Sequence, residues 1–226
     1  MERTFVRRTG RMTHGQRRAL AALLPVYGAS LFEQKGRNID FEKIFGNADP
    51  VVVEIGFGMG EATAVIAENN PDVNYMGMEV HTPGLGRLLM EIERRGLKNI
   101  RVAACDAVEA FNAVNAESIF GIHLFFPDPW PKKRHRKRRI IQKPFTDTLA
   151  SKLRVGGYLY MVTDWTEYAD AALAELSATT GLENAYARFA PRQTWRPKTK
   201  FEERARAEGR EIRELFFVKS PPAEFF

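Results

Sequence analysis

From residue 49 onward, short apolar runs alternate with amphipathic stretches. Val51-Val52-Val53-Glu54-Ile55 is a β-branched run that stops at a glycine cluster, and it predicts a buried strand. Further strands are predicted over 73–80, 100–105, 118–126 and 158–162. Helices are predicted over 61–69, 83–95, 107–114, 144–153 and 167–178. Pro83 sits just inside a helix start, and Gly96 closes that helix after Arg94-Arg95. Five alternations of strand and helix predict an α/β fold with a doubly wound, mostly parallel sheet. Two more candidate strands, 183–189 and 212–218, flank a polar stretch, 191–206, that reads as a loop. Gly156-Gly157 reads as the end of a helix. The expected organisation is a basic N-terminal arm with a short helix around 16–24, in residues 1–45, followed by one domain over 46–226.

Composition narrows the class. Of 226 residues, 44% are hydrophobic and 27% charged, as in soluble globular proteins. No apolar run approaches the roughly 18 residues needed to cross a bilayer. The N-terminus lacks the apolar core of a secretory signal. The single cysteine, Cys105, excludes an internal disulfide and a multi-cysteine zinc site, and it fits a reducing, cytoplasmic setting. His14, His81, His123 and His135 are scattered, so no metal is expected. Met59, Met76 and Met78 read as packing residues.

The net charge of +6 is unevenly placed. Residues 132–139 read Lys-Lys-Arg-His-Arg-Lys-Arg-Arg, and the first 18 residues hold six arginines against Glu2. The rest of the chain is net acidic. Two short basic segments on an acidic body suggest a polyanion met at defined places.

Ligands of an open parallel sheet bind beyond the carboxyl ends of its strands. Reading those ends in order gives Glu54, Glu79, Asp106 and Asp128. The expectation is that these acids line one rim. The first strand leads into Gly56-Phe57-Gly58-Met59-Gly60, a tight turn open to close approach. A dinucleotide site prefers Gly-x-Gly-x-x-Gly, and Glu61 spoils that fit. An acid at the second strand end can accept both hydroxyls of a ribose. Asp106 can accept from an adenine amino group. Adenine, ribose and a cationic amino-acid arm together describe S-adenosylmethionine. Beyond the fourth strand, Pro127-Asp128-Pro129-Trp130-Pro131 is stiff and runs straight into the basic octet. An Asp beside a Trp can hold a planar base by edge and face, while the cations grip phosphates.

These segments, with Thr163-Asp164-Trp165 and Thr199-Lys200-Phe201-Glu202, resemble the bacterial tRNA (guanine-N7-)-methyltransferase family over nearly the whole chain. The Asp-Pro-Trp-Pro-Lys-Lys-Arg-His segment is the most specific part of the likeness. The resemblance implies a class I methyltransferase fold, with a seven-stranded sheet whose last strand is antiparallel. It implies methyl transfer from S-adenosyl-L-methionine to N7 of a guanine in the tRNA variable loop, position 46. By position it implies cofactor contacts from Glu54, Gly56, Gly58, Glu79, Asp106 and Asp128, with Asp128 also catalytic. It implies substrate contacts from Lys132, Asp164, Thr199, Lys200, Phe201 and Glu202. Arg134, His135, Arg136, Lys137, Arg138 and Arg139 match the family's RNA-contacting stretch. The expected partner is tRNA, with no membrane, no obligatory protein partner, and a monomer or homodimer.

Three rivals remain at this level. An amino-methylating enzyme often uses an Asp/Asn-Pro-Pro-aromatic loop, but here the second proline is replaced by Trp130. A non-catalytic RNA-binding protein has no use for the acids at the strand ends. A nicotinamide oxidoreductase is disfavoured by Glu61.

Overall fold

The computed structural model describes residues 4–5, 10–29 and 38–221. Arg3, Arg7 and Arg8 of the expected basic arm lie outside the described residues. The chain divides into two compact units. One takes in 7–115 and 194–199, the other 1–6, 116–193 and 200–226.

The first unit holds α1 (His14–Tyr27), α2 (Phe41–Phe45), β1 (Val51–Ile55), α3 (Glu61–Asn69), β2 (Asn74–Met78), α4 (Thr82–Arg95), β3 (Ile100–Ala103) and α5 (Ala107–Ala110). Its strands are ordered β3-β2-β1, all parallel, with Glu54 opposite Gly77 and Met76 opposite Arg101. Every residue of β1 and β2 is buried, as expected of a parallel strand covered on both faces. Val53, Met76, Leu88 and Leu89 are wholly buried in its core. A capping box starts α1: Thr13 Oγ1 accepts from Gln16 N, and Gln16 Oε1 accepts from Thr13 N. Gln16 Nε2 then donates to Pro83 O at 3.1 Å and ties α1 to the start of α4.

The second unit holds β4 (Ile119–Phe125), a 3₁₀ segment (Lys133–Arg138), α6 (Phe145–Lys152), β5 (Leu153–Thr163), α7 (Thr166–Ser177), β6 (Leu182–Asn184), α8 (Lys200–Ala207) and β7 (Arg213–Lys219). Its strands are ordered β4-β5-β7-β6. β4 and β5 are parallel, and β7 is antiparallel to both β5 and β6. The seven strands make a mixed, mostly parallel α/β sheet whose last strand is antiparallel, as the likeness implied.

Four details differ from the sequence reading. Gly156 and Gly157 lie inside β5, where a register shift against β4 absorbs them. The helix expected over 107–114 is α5 followed by a 3₁₀ turn, Phe111–Ala113. The strand expected over 183–189 is only the three residues of β6. The loop expected over 191–206 contains most of α8. That helix buries Glu202 and Ala205, so its inward face shows no apolar stripe for a periodicity argument to detect.

Candidate active site

In the first unit the glycine turn and Glu79 form one construction. Gly56, Gly58 and Gly60 have φ of 74°, 60° and 72°, a region that side chains with a Cβ rarely adopt. Gly58 N donates to Glu79 Oε2 at 2.8 Å, while Val80 N and His81 N donate to Glu79 Oε1 at 2.8 and 2.9 Å. So Glu79, at the end of β2, pins the turn that follows β1. Gly84, in the first turn of α4, was missed in the sequence. A Cβ there would meet Gly58 O at 2.0 Å, so only glycine lets α4 lie against this turn. Met59, expected in the core, is 46% exposed at the tip of the turn. Its neighbours' positive φ values lift it away from the packing that Met76 and Met78 do join.

Glu54 is buried on β1, and its Oε2 has no hydrogen-bond partner. Burial pushes its pKa up to about 7, the Glu79 charge adds to the rise, and the nearby Thr63 hydroxyl opposes it. A buried carboxylate oxygen left unpaired beside an open glycine turn suits a ligand that brings a positive charge. Asp106 caps α5, with its Oδ1 accepting from Val108 N at 2.9 Å. Glu54, Glu79 and Asp106 thus stand at the carboxyl ends of three neighbouring parallel strands. Cys105, just beyond β3, is buried; burial first, then Asp106 and Glu109, pushes its thiol up to about 12. It is no nucleophile.

In the second unit, Asp128 is exposed on the loop that follows β4. Phe126 and Trp130, on either side of Pro127-Asp128-Pro129, have φ of 51° and 43°. Burial raises the pKa of the Tyr168 phenol, and the Asp128 charge adds a small push in the same direction. Trp130 is not an open base platform. Arg138 lies over its ring at 3.8 Å, its Nε1 donates to Thr4 O at 3.1 Å, and His135 packs edge-on against it at 5.9 Å. Arg138 Nη2 also donates to Phe5 O at 3.0 Å, so these two side chains tether the N-terminal segment. The exposed aromatic in this neighbourhood is Phe201, 64% exposed and stacked on Phe126 with ring centres 6.3 Å apart.

The cationic octet divides by environment. Lys132, Lys133, Arg134, Arg136 and Lys137 are exposed. Arg136 also pairs with Glu167 at 3.2 Å. Arg139 is buried. Two of the expected substrate contacts have internal partners. Asp164 is ion-paired with Arg210, and Glu202 is fully buried with Arg206 at 3.1 Å and Arg192 at 3.5 Å. Lys200 is exposed at the start of α8, and Thr199 is half-buried just before it. His123 sits in the core at 1% exposed, with Nε2 2.9 Å from the Tyr158 hydroxyl.

Solved structures with this fold define the class. The 16S rRNA methyltransferase KamB aligns at a TM-score of 0.60 and 15% identity, covering 82% of this chain and 95% of its own. The 16S rRNA (adenine(1408)-N(1))-methyltransferase of Catenulisporales acidiphilia, solved with its cosubstrate SAM, aligns at 0.58 and 15%, covering 84% and 95%. The fold is that of the class I methyltransferases. A family described as "Putative methyltransferase" matches residues 48–215. The tRNA (guanine-N(7)-)-methyltransferase of Nitrosospira multiformis is 46% identical over 222 residues, 98% of this chain and 96% of its own length. That of Chromobacterium violaceum is 46% identical over 216 residues, 95% and 94%. The chain belongs to the tRNA (guanine-N(7)-)-methyltransferase family, whose cofactor is S-adenosyl-L-methionine. Among the described residues, no helix is long and apolar enough to cross a membrane.

Proposed function

We propose that this chain methylates N7 of a guanine in the variable loop of tRNA, position 46, with Asp128 as the catalytic residue. When bound, S-adenosyl-L-methionine supplies a methyl group on a cationic sulfur. Glu54, Glu79, Asp106 and the turn at Gly56 and Gly58 are the groups to hold it, and the unpaired Glu54 oxygen is the observation that supports this fit. Guanine N7 has an in-plane lone pair and no proton, so no base is required at the attacking atom. The guanine ring gains positive charge as the bond forms. Asp128 accepts hydrogen bonds from the base's Watson–Crick edge and stabilises that charge, so catalysis is orientation and electrostatics.

The observation that carries the reading is the setting of Asp128. It is an exposed acid on a tightly held loop, two residues beyond a phenylalanine stacked with the exposed Phe201, and directly followed by exposed cations. In this reading Phe201 offers a face to a base, and Lys132, Lys133, Arg134 and Lys137 meet phosphates. Lys200 and Thr199 contribute to the same substrate. Asp164, Glu202, Arg138 and His135 support it through the partners named above.

Labelled S-adenosylmethionine and unmodified tRNA, followed by mapping of the labelled nucleoside, tests the product and its position. Label on an adenine or cytosine amino group would revive the rival chemistry. Asp128→Asn is expected to lower kcat on the order of a hundredfold, while calorimetry still detects cofactor binding. Near-normal turnover would remove Asp128 from the mechanism.

A further inference from the structure

Residues 132–139 form one cationic run in the sequence, yet the last member faces inward. Arg139 is 5% exposed. Its Nε donates to Pro129 O at 2.8 Å, and Nη1 and Nη2 donate to the two carboxylate oxygens of Glu167 at 3.1 and 2.5 Å. Its guanidinium lies over the Tyr168 ring at 4.7 Å, and the Tyr168 hydroxyl accepts from Ile141 N at 3.3 Å. Such a bidentate, stacked guanidinium is fixed in direction. The carbonyl it holds belongs to the residue directly after Asp128.

We propose that Arg139 is a positioning residue for Asp128 and makes no contact with RNA phosphate. It deepens the reading above and rests on Asp128 being the acid that faces guanine. The physical need is local. The loop from Phe126 to Trp130 begins and ends in positive-φ conformations that bulky residues hold only when their surroundings fix them. Prolines at 127, 129 and 131 stiffen the segment, but they have no backbone N–H to donate, so they can be anchored only through their carbonyls. Arg139 donates to one of those carbonyls, Pro129 O, and Glu167 on α7 fixes Arg139 in turn. A lysine at 139 keeps the charge but has no planar fork to serve Pro129 O and both Glu167 oxygens together.

The test uses the full chain with Arg139→Lys, Arg139→Gln, Glu167→Gln and, as the phosphate-contact comparison, Arg134→Gln. For each, kcat and KM for tRNA are measured, along with the slope of log affinity against log salt. Arg139→Gln is expected to lower kcat about ten- to a hundredfold, with the wild-type salt slope. Arg139→Lys should not restore kcat. Glu167→Gln acts at the half-exposed end of the pair, and is expected to lower kcat in the same direction. Combining it with Arg139→Gln should cost little beyond the worse single change. Arg134→Gln is expected to make the slope shallower by about 0.7. Wild-type kcat in Arg139→Gln, or a slope change matching Arg134→Gln, overturns the proposal. If Arg139→Gln does not fold, Glu167→Gln decides by kcat, since its salt slope also reflects the release of Arg136. Should Asp128→Asn turn over normally, the reading of Asp128 fails and takes this one with it. Should Asp128→Asn be inactive while the Arg139 and Glu167 variants are normal, only the positioning role falls.

Discussion

Glu54 shows how one side chain links fold stability to ligand binding. In the unfolded chain its carboxyl ionises near the ordinary value of 4.5, whereas burial moves it to about 7 in the fold. Between those values the folded chain holds a proton that the unfolded chain has lost. The stability this group contributes is therefore complete below about pH 4.5 and lost as pH rises through about 7. Glu54→Gln stays neutral throughout. Thermal melts without cofactor are expected to show the variant gaining a few degrees over wild type at pH 8 and nothing at pH 4. Cofactor affinity, measured by calorimetry at pH 8, should move the opposite way and weaken. A melting gain of equal size at both pH values would refute the assignment. Glu54 was identifiable in the sequence because it interrupts an apolar strand just before a glycine turn. The inward roles of Arg139 and Glu202 were not, because a charged residue in a charged run carries no mark of which way it faces.

At the scale of elements, legibility followed punctuation. α4 was readable from Pro83 and Gly96, and β1 from its β-branched run. α8 lacked an apolar stripe, and Gly156-Gly157 imitated a helix stop while sitting in a strand. The close approach of α4 to the glycine turn was hidden for another reason. Gly84 resembles any glycine early in a helix, and only the 2.0 Å clash of a Cβ with Gly58 O reveals its part. Gly84→Ala is expected to push the turn off α4, disturb the Glu79 hydrogen bonds and weaken cofactor binding at least tenfold by calorimetry. Unaltered binding would mean that the turn yields without consequence.

For the whole molecule, the split between two basic segments and an acidic body was visible in the residue counts, but the number of usable charges was not. Seven formal charges lie in residues 132–139. Arg138 covers Trp130, Arg139 is buried and Arg136 pairs with Glu167. Lys132, Lys133, Arg134 and Lys137 are exposed and are the four proposed above to meet phosphates. Four contacts predict a salt slope from this segment of about −3 for irregular RNA. Filter binding of tRNA over a salt series checks it. The measure is the difference in slope between wild type and a variant with all four changed to Gln; if changing Arg136, Arg138 and Arg139 as well brings the difference near about −5, the inward arginines also reach RNA.

The lone thiol at Cys105 also has an experimental consequence. Because it is buried and bound to its proton far above neutral pH, maleimide reagents will pass it by. A dye or spin probe can therefore be attached through Val155→Cys, at an exposed position outside the residues proposed to bind RNA, without first replacing the native cysteine. The docking of tRNA could then be followed by fluorescence on an otherwise unaltered background.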